Sequence, residues 1–172
     1  MPTVIFVCTG NLCRSPMAEG LLQARLAADA ARADWQVGSA GVWANEGHPA
    51  SAYAVDEMAR RGIDLHAHRS RGVTRELMAQ ADLVLVMTHS HAEMLNATFP
   101  EYASKVYLLS EMIGEKYDIS DPYGGARAEY EATAQGLARL IEEGYARIVS
   151  LVESANSTSP TSGIPSGGRR HD

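Results

Sequence analysis

With 172 residues, 45% of them hydrophobic, the chain is long enough for one domain with a sizeable buried core, held without disulfide or metal staples. A net charge of −6 supplies no basic footprint for nucleic acid, and two cysteines do not make the framework of a secreted disulfide-rich domain. No apolar run is long enough to span a membrane, and the opening one is too short and lacks the basic flank of a signal peptide, so a cytoplasmic protein with no membrane partner is expected.

The first predicted element is a strand over Thr3 to Val7, a β-branched and aromatic run. Pro16 stands where a helix tolerates proline, so a helix is predicted from Ser15 to about Ala31, with Met17, Leu21, Leu22, Ala24 and Leu26 on its apolar stripe. A second strand is predicted over Trp35 to Ala40, followed by a Gly- and Asn-punctuated loop from Gly41 to Pro49. Ala50 to Arg61 reads as a helix stopped by Gly62, and GIDLHAHRSRG, which has no period, as loop. Thr74 is placed to N-cap a short helix to Ala81.

Leu83 to Met87 is apolar without alternation, the pattern of a parallel strand covered on both faces. A helix over His89 to Asn96, a fourth strand over Lys105 to Leu109 and a connecting loop from Met112 to Asp121 complete the middle of the chain. The longest helix is predicted from Arg127 to Val152. Strands alternating with helices imply right-handed crossovers and a doubly wound α/β fold, with parallel strands and helices on both faces. The domain is expected over residues 1–153; residues 154–172, rich in Ser, Gly and Pro, read as a disordered tail.

Between the first strand and helix lies CTGNLCRS. A tight loop opening onto a helix turns successive backbone N–H groups inward and makes an anion-sized nest, with Gly10 free to take an unusual backbone angle. In folds of this class the ligand sits beyond the carboxyl ends of the strands, which is where this loop falls. Cys8 at the bottom of the nest, near a helix N-terminus and Arg14, is favoured as the nucleophilic thiolate. A phosphate held above it is placed for attack and a cysteinyl-phosphate intermediate. Arg14 suits two phosphoryl oxygens with its planar fork.

VCTGNLCRSPMAEG resembles the phosphate-binding loop of the low-molecular-weight protein tyrosine phosphatase family, and DPYGG at Asp121 to Gly125 resembles that family's acid loop. The similarity covers about residues 3 to 150 and implies a four-stranded parallel sheet and a cytosolic, cofactor-free enzyme acting on phosphorylated protein and releasing inorganic phosphate. It implies Cys8 as nucleophile, Arg14 as oxyanion clamp and Asp121 as general acid, with Thr9, Gly10, Asn11, Leu12, Cys13 and Ser15 completing the phosphate cradle. Ser39 and His68 match positions that support the loop from behind, and Trp43 and Tyr123 match walls of the substrate cleft beside Leu12. Cys13 matches a thiol that forms a reversible disulfide with Cys8.

Read locally, several of these residues keep a second meaning. Asp-Pro-Tyr-Gly-Gly is also a turn-former, with Asp118 a fallback acid. Cys13 also reads as a small packing residue, Trp43 and Tyr123 as caps on the core edge, and His66 lies two residues from His68, either of which suits an exposed loop. His89 and His91, two apart on a helix, face different ways, so no metal is expected; the remaining acids read as solvated helix faces.

Three other functions are weighed against phosphotyrosine hydrolysis. An arsenate reductase with an intramolecular thiol relay needs further cysteines, and none follows Cys13. A phosphate-binding module without catalysis has no need of Cys8, Arg14 and Asp121 together. The protein arginine phosphatase branch is the serious rival, because SAGVWA, ADLVLVMTHSHAEM and DPYGG resemble it. That branch carries threonine where this loop has Leu12, an aliphatic residue as in the tyrosine phosphatases. Leu12 suits a phenyl ring and offers a guanidinium no hydrogen-bond partner.

Overall fold

In the computed structural model, which describes residues 1–158, the central strand is the first one, β1 (Thr3–Cys8). It pairs in parallel with β2 (Gln36–Gly41) on one side and β3 (Leu83–Val86) on the other, and β4 (Val106–Leu108) adds to β3, giving the order β2-β1-β3-β4. The helices are α1 (Arg14–Ala27), α2 (Ala52–Ala59), α3 (Arg75–Gln80), α4 (His89–Thr98) and α5 (Arg127–Ser157).

Alternation along β1 and β3 divides the interior into two cores. Val4, Phe6 and Cys8, with Leu83, Leu85 and Met87, join residues of α1, α2 and α5 on one face. Ile5, Val7, Val84 and Val86 join Met78 of α3 and Leu95 of α4 on the other. A sheet buried on both faces needs apolar residues at every position of its inner strands, which explains the unbroken runs in β1 and β3. The doubly wound four-stranded fold expected from the sequence is the one observed.

Three expectations need correction. The first helix ends at Ala27, and Ala30–Arg32 forms a separate 3-10 turn. Asp29 breaks it: its carboxylate accepts from the Ala31 N–H at 3.3 Å and the Tyr145 hydroxyl at 2.8 Å and pairs with Arg32, offering the backbone an alternative to the helix. Ala24 is exposed rather than on the buried stripe of Met17, Ala18, Leu22 and Leu26. The last helix runs to Ser157, so residues 154–157 extend it instead of starting a tail; the remainder of the expected tail, from 159, lies outside the described residues.

Among the described residues no helix is long and apolar enough to cross a membrane, and no group of three or more His, Cys, Asp or Glu is placed to hold a metal.

Candidate active site

The loop from Thr9 to Cys13 joins the carboxyl end of β1 to the amino end of α1. Most of the carbonyls in and beside it have a donor. The Cys8 and Thr9 carbonyls accept from the N–H groups of Val42 and Trp43, and the Leu12 carbonyl from Ser51, all at 2.9 Å. Asn11 O accepts from His68 Nε2 at 2.7 Å, which fixes that ring nitrogen as the protonated one. No carbonyl of the described residues takes the N–H groups of Gly10 to Cys13. With the carbonyls bound behind the loop, the donors face its concave side, the arrangement of an anion nest.

The left-handed backbone angle this turn requires falls on Asn11, at φ 58°, and not on Gly10. Asparagine tolerates that region, and here its side chain also secures the loop. Asn11 Nδ2 donates to Ser15 Oγ at 2.8 Å and to Ser39 Oγ at 2.9 Å, and its Oδ1 accepts from the Arg71 N–H at 3.0 Å. The Ser39 hydroxyl donates to Glu19, whose carboxyl is pushed up by burial even though the Ser39 bond opposes the shift. Gly41 lets β2 approach: a methyl there would lie 2.4 Å from the Thr9 carbonyl oxygen. Ser39 and His68 thus bond to Asn11 of the loop, whereas His66 turns to Asp64.

Cys8 Sγ lies 2.9 Å from Ser15 Oγ. That oxygen accepts from Asn11, and its own proton has two acceptors within reach, the Cys8 sulfur and the Ala40 carbonyl at 3.4 Å. Arg14 is buried, with Nη1 donating to the Ile119 carbonyl at 2.7 Å and Nη2 to Thr9 Oγ1 at 3.4 Å. Its Nε is buried without a partner, so Nε and Nη2 form a fork able to take two oxygens of one anion.

Asp121 reaches the same place from the far end of the chain. Its Oδ2 is 3.4 Å from Arg14 Nη2, and its Oδ1 accepts from the Tyr123 N–H at 3.1 Å. The fallback acid, Asp118, accepts from the backbone and ring N–H groups of His89, which hold its carboxyl below the usual range. It is ill suited to donate a proton.

Cys8, Thr9, Gly10, Leu12, Cys13, Arg14, Asp121 and Tyr123 line one cleft of about 250 Å³. Trp43 does not share it. With 78% of its surface exposed, it lines a neighbouring groove with Met94 and Asp118 that meets the cleft at Thr9, Arg14 and Asp121. Cys13 points its sulfur at Ser51 Oγ, 3.1 Å, and Tyr130 OH, 3.4 Å, and burial pushes its thiol up.

Two contacts escaped sequence reasoning. Glu19, taken for a solvated acid, supports Ser39, and Glu57 is buried as well. His91, noticed only as half of a metal-like pair, is buried with Nε2 2.9 Å from Thr9 Oγ1; desolvation first, then Arg14, lowers its pKa to about 4. The His-Ser-His spacing marks the residue but not what it touches.

The cleft thus brings together a thiol, a guanidinium fork and a carboxylate. The family model described as low molecular weight phosphotyrosine protein phosphatase matches residues 3–154. A protein-arginine-phosphatase of Bacillus subtilis (strain 168) is 41% identical, over 81% of this chain and 92% of its own. A probable low molecular weight protein-tyrosine-phosphatase EpsP of Ralstonia nicotianae is 37% identical, over 87% of this chain and 97% of its own. The crystal structure of a low molecular weight protein tyrosine phosphatase from T. tengcongensis superposes with a TM-score of 0.80 at 43% identity, covering 86% of this chain and 99% of that one. The chain belongs to the low molecular weight phosphotyrosine protein phosphatase family.

Proposed function

We propose that the chain hydrolyses phosphotyrosine in proteins through a cysteinyl-phosphate on Cys8. The Cys8 thiolate attacks phosphorus while Arg14 and the loop N–H groups hold the equatorial oxygens. The bond from phosphorus to the tyrosine oxygen breaks, and Asp121 gives the departing phenolate its proton. The Asp121 carboxylate then takes a proton from water, which attacks the cysteinyl-phosphate, releases inorganic phosphate and restores the thiolate. Neither a metal nor a cofactor enters these steps.

The observation that carries the choice of tyrosine is Leu12. It lines the cleft together with Cys8 and Tyr123, so a phenyl ring meets apolar surface there. Phosphoarginine brings N–H donors that need acceptors out of water, at a cost of about 1–3 kcal/mol for each left unpaired. The rival reading rests on the 41% identity to a protein-arginine-phosphatase. Turnover of phosphotyrosine and phosphoarginine peptides side by side separates the two. Wild type is expected to prefer phosphotyrosine, and Leu12→Thr to move the ratio of kcat/KM toward phosphoarginine by roughly tenfold, one hydrogen bond's worth. A wild type that hydrolyses phosphoarginine far better overturns the assignment.

Cys13 fits a protective role in the same site. Its raised pKa keeps it a thiol while Cys8 is the nucleophile, and the two line one cleft. Peroxide oxidises Cys8 to a sulfenic acid, which the Cys13 thiol captures as a disulfide with loss of water. Mild peroxide is therefore expected to inactivate wild type reversibly, with a Cys8–Cys13 bond in the mass spectrum. Cys13→Ser should recover poorly after added reductant; unchanged recovery would leave Cys13 a packing residue.

A further inference from the structure

The fork of Arg14 is useful only if the guanidinium is held at one angle, and its anchors are unequal. One is a backbone carbonyl, Ile119 O, fixed at 2.7 Å. On the other side Nη2 has two partners at 3.4 Å, the half-exposed carboxylate of Asp121 and Thr9 Oγ1, a hydroxyl on an exposed loop residue that would rotate freely on its own. What stops it is His91, whose Nε2 lies 2.9 Å from the same oxygen. His91 is 3% exposed, in the first turn of α4, and that turn is itself fixed by Thr88, whose hydroxyl accepts from the His91 backbone N–H.

The ring has one N–H when neutral, and its two tautomers do different things. With the proton on Nδ1, Thr9 must spend its own proton on Nε2, and an N–H is left buried without a partner, since Nδ1 has none. Orphaned buried N–H groups are rarer in folded proteins than under-satisfied acceptors. With the proton on Nε2, His91 donates to Thr9 Oγ1, and the buried atom left over is only a bare ring nitrogen. Thr9 Oγ1 then accepts from both His91 and Arg14, and its own proton is free to point at the anion the fork holds.

We infer that His91 is a positioning residue for phosphoryl binding, its Nε2–H locking the Thr9 hydroxyl so that Thr9 and Ile119 together set the angle of the Arg14 guanidinium. This rests on the phosphatase reading of the site but not on the choice between tyrosine and arginine. The clamp acts on the oxygens common to both substrates, and it ties the N-terminal turn of α4, on one face of the sheet, to a loop that feeds α1 on the other.

The test combines p-nitrophenyl phosphate turnover, orthophosphate binding and imidazole nitrogen NMR on the full chain. In wild type near neutral pH, the His91 ring is expected to show its proton on Nε2; a proton on Nδ1 overturns the inference. His91→Leu should lower kcat/KM and weaken orthophosphate binding by about tenfold, the worth of one hydrogen bond, whereas His91→Gln, whose amide can place a donor near Nε2, should recover to within about threefold. Thr9→Val removes the same bond from the loop side, which keeps the comparison readable if His91→Leu folds badly. The double variant should then be no worse than the poorer single one. A glutamine variant as weak as leucine, or additive losses in the double variant, overturns the clamp. Absence of turnover by wild type would sink the phosphatase reading alone, while tautomer and orthophosphate affinity would still decide the role of His91.

Discussion

Cys8→Ser is expected to lower turnover of any phosphomonoester by on the order of 10⁴-fold or more, while orthophosphate binds no more weakly than to wild type. The two halves of that outcome have separate causes. Turnover needs a nucleophile that is ionised at working pH, and a serine hydroxyl is not. Binding needs the loop donors and the Arg14 fork, and none of these passes through the sulfur. In the proposed mechanism serine also removes the thiolate charge beneath the anion, which lightens the repulsion the nest must overcome. Steady-state kinetics and orthophosphate titration on the same preparation check both. Substantial activity in the variant would remove Cys8 from the mechanism.

Asp121→Ala should produce the next largest loss, and the loss should depend on the leaving group. Phenolate of pKa ~10 departs slowly without a proton, so phosphotyrosine turnover should fall by on the order of 10²–10⁴-fold. An aryl phosphate with a much less basic leaving group should suffer far less in the first step. The geometry motivates this selectivity: Asp121 lines the same cleft as Cys8 and is 48% exposed, 3.4 Å from Arg14. Equal losses in kcat/KM, which reads only the first step, on both substrates would make Asp121 a structural turn residue. Since Asp118 is engaged by His89, the proton would then have to come from solvent.

How much of this was legible in the sequence depended on how local each feature is. The strand–loop–helix unit over Thr3 to Ala27 was readable because the apolar run, Pro16 and the spacing of Cys8 and Arg14 lie in one stretch. Even there, the left-handed angle went to Asn11 rather than Gly10, because tolerance of an angle does not say which residue the hydrogen bonds will place there. The N-caps at Thr74 and Thr88 show the same local control, although only the first was expected. Asp121 could be joined to Cys8 by resemblance but never by spacing, since the contact is made by folding. The same holds for His91 on Thr9, Glu19 on Ser39, and Tyr130 on Cys13: each bond joins two separate elements, 20 to 117 positions apart in the chain, and no periodicity encodes it. Trp43 was expected in the cleft with Tyr123, but the β2 extension that brings its backbone to Thr9 turns its ring to the adjoining groove.

The most direct measurement is identification of the phosphorylated atom during turnover. In Asp121→Ala the water-dependent step loses its base, so with an aryl phosphate bearing a good leaving group the covalent species should accumulate. Denaturing quench followed by peptide mass spectrometry is expected to find one phosphate per chain on Cys8, with none on Cys13 or any histidine. Phosphate on another residue, or rapid product formation with no phosphorylated chain at any time, would contradict the cysteinyl-phosphate route.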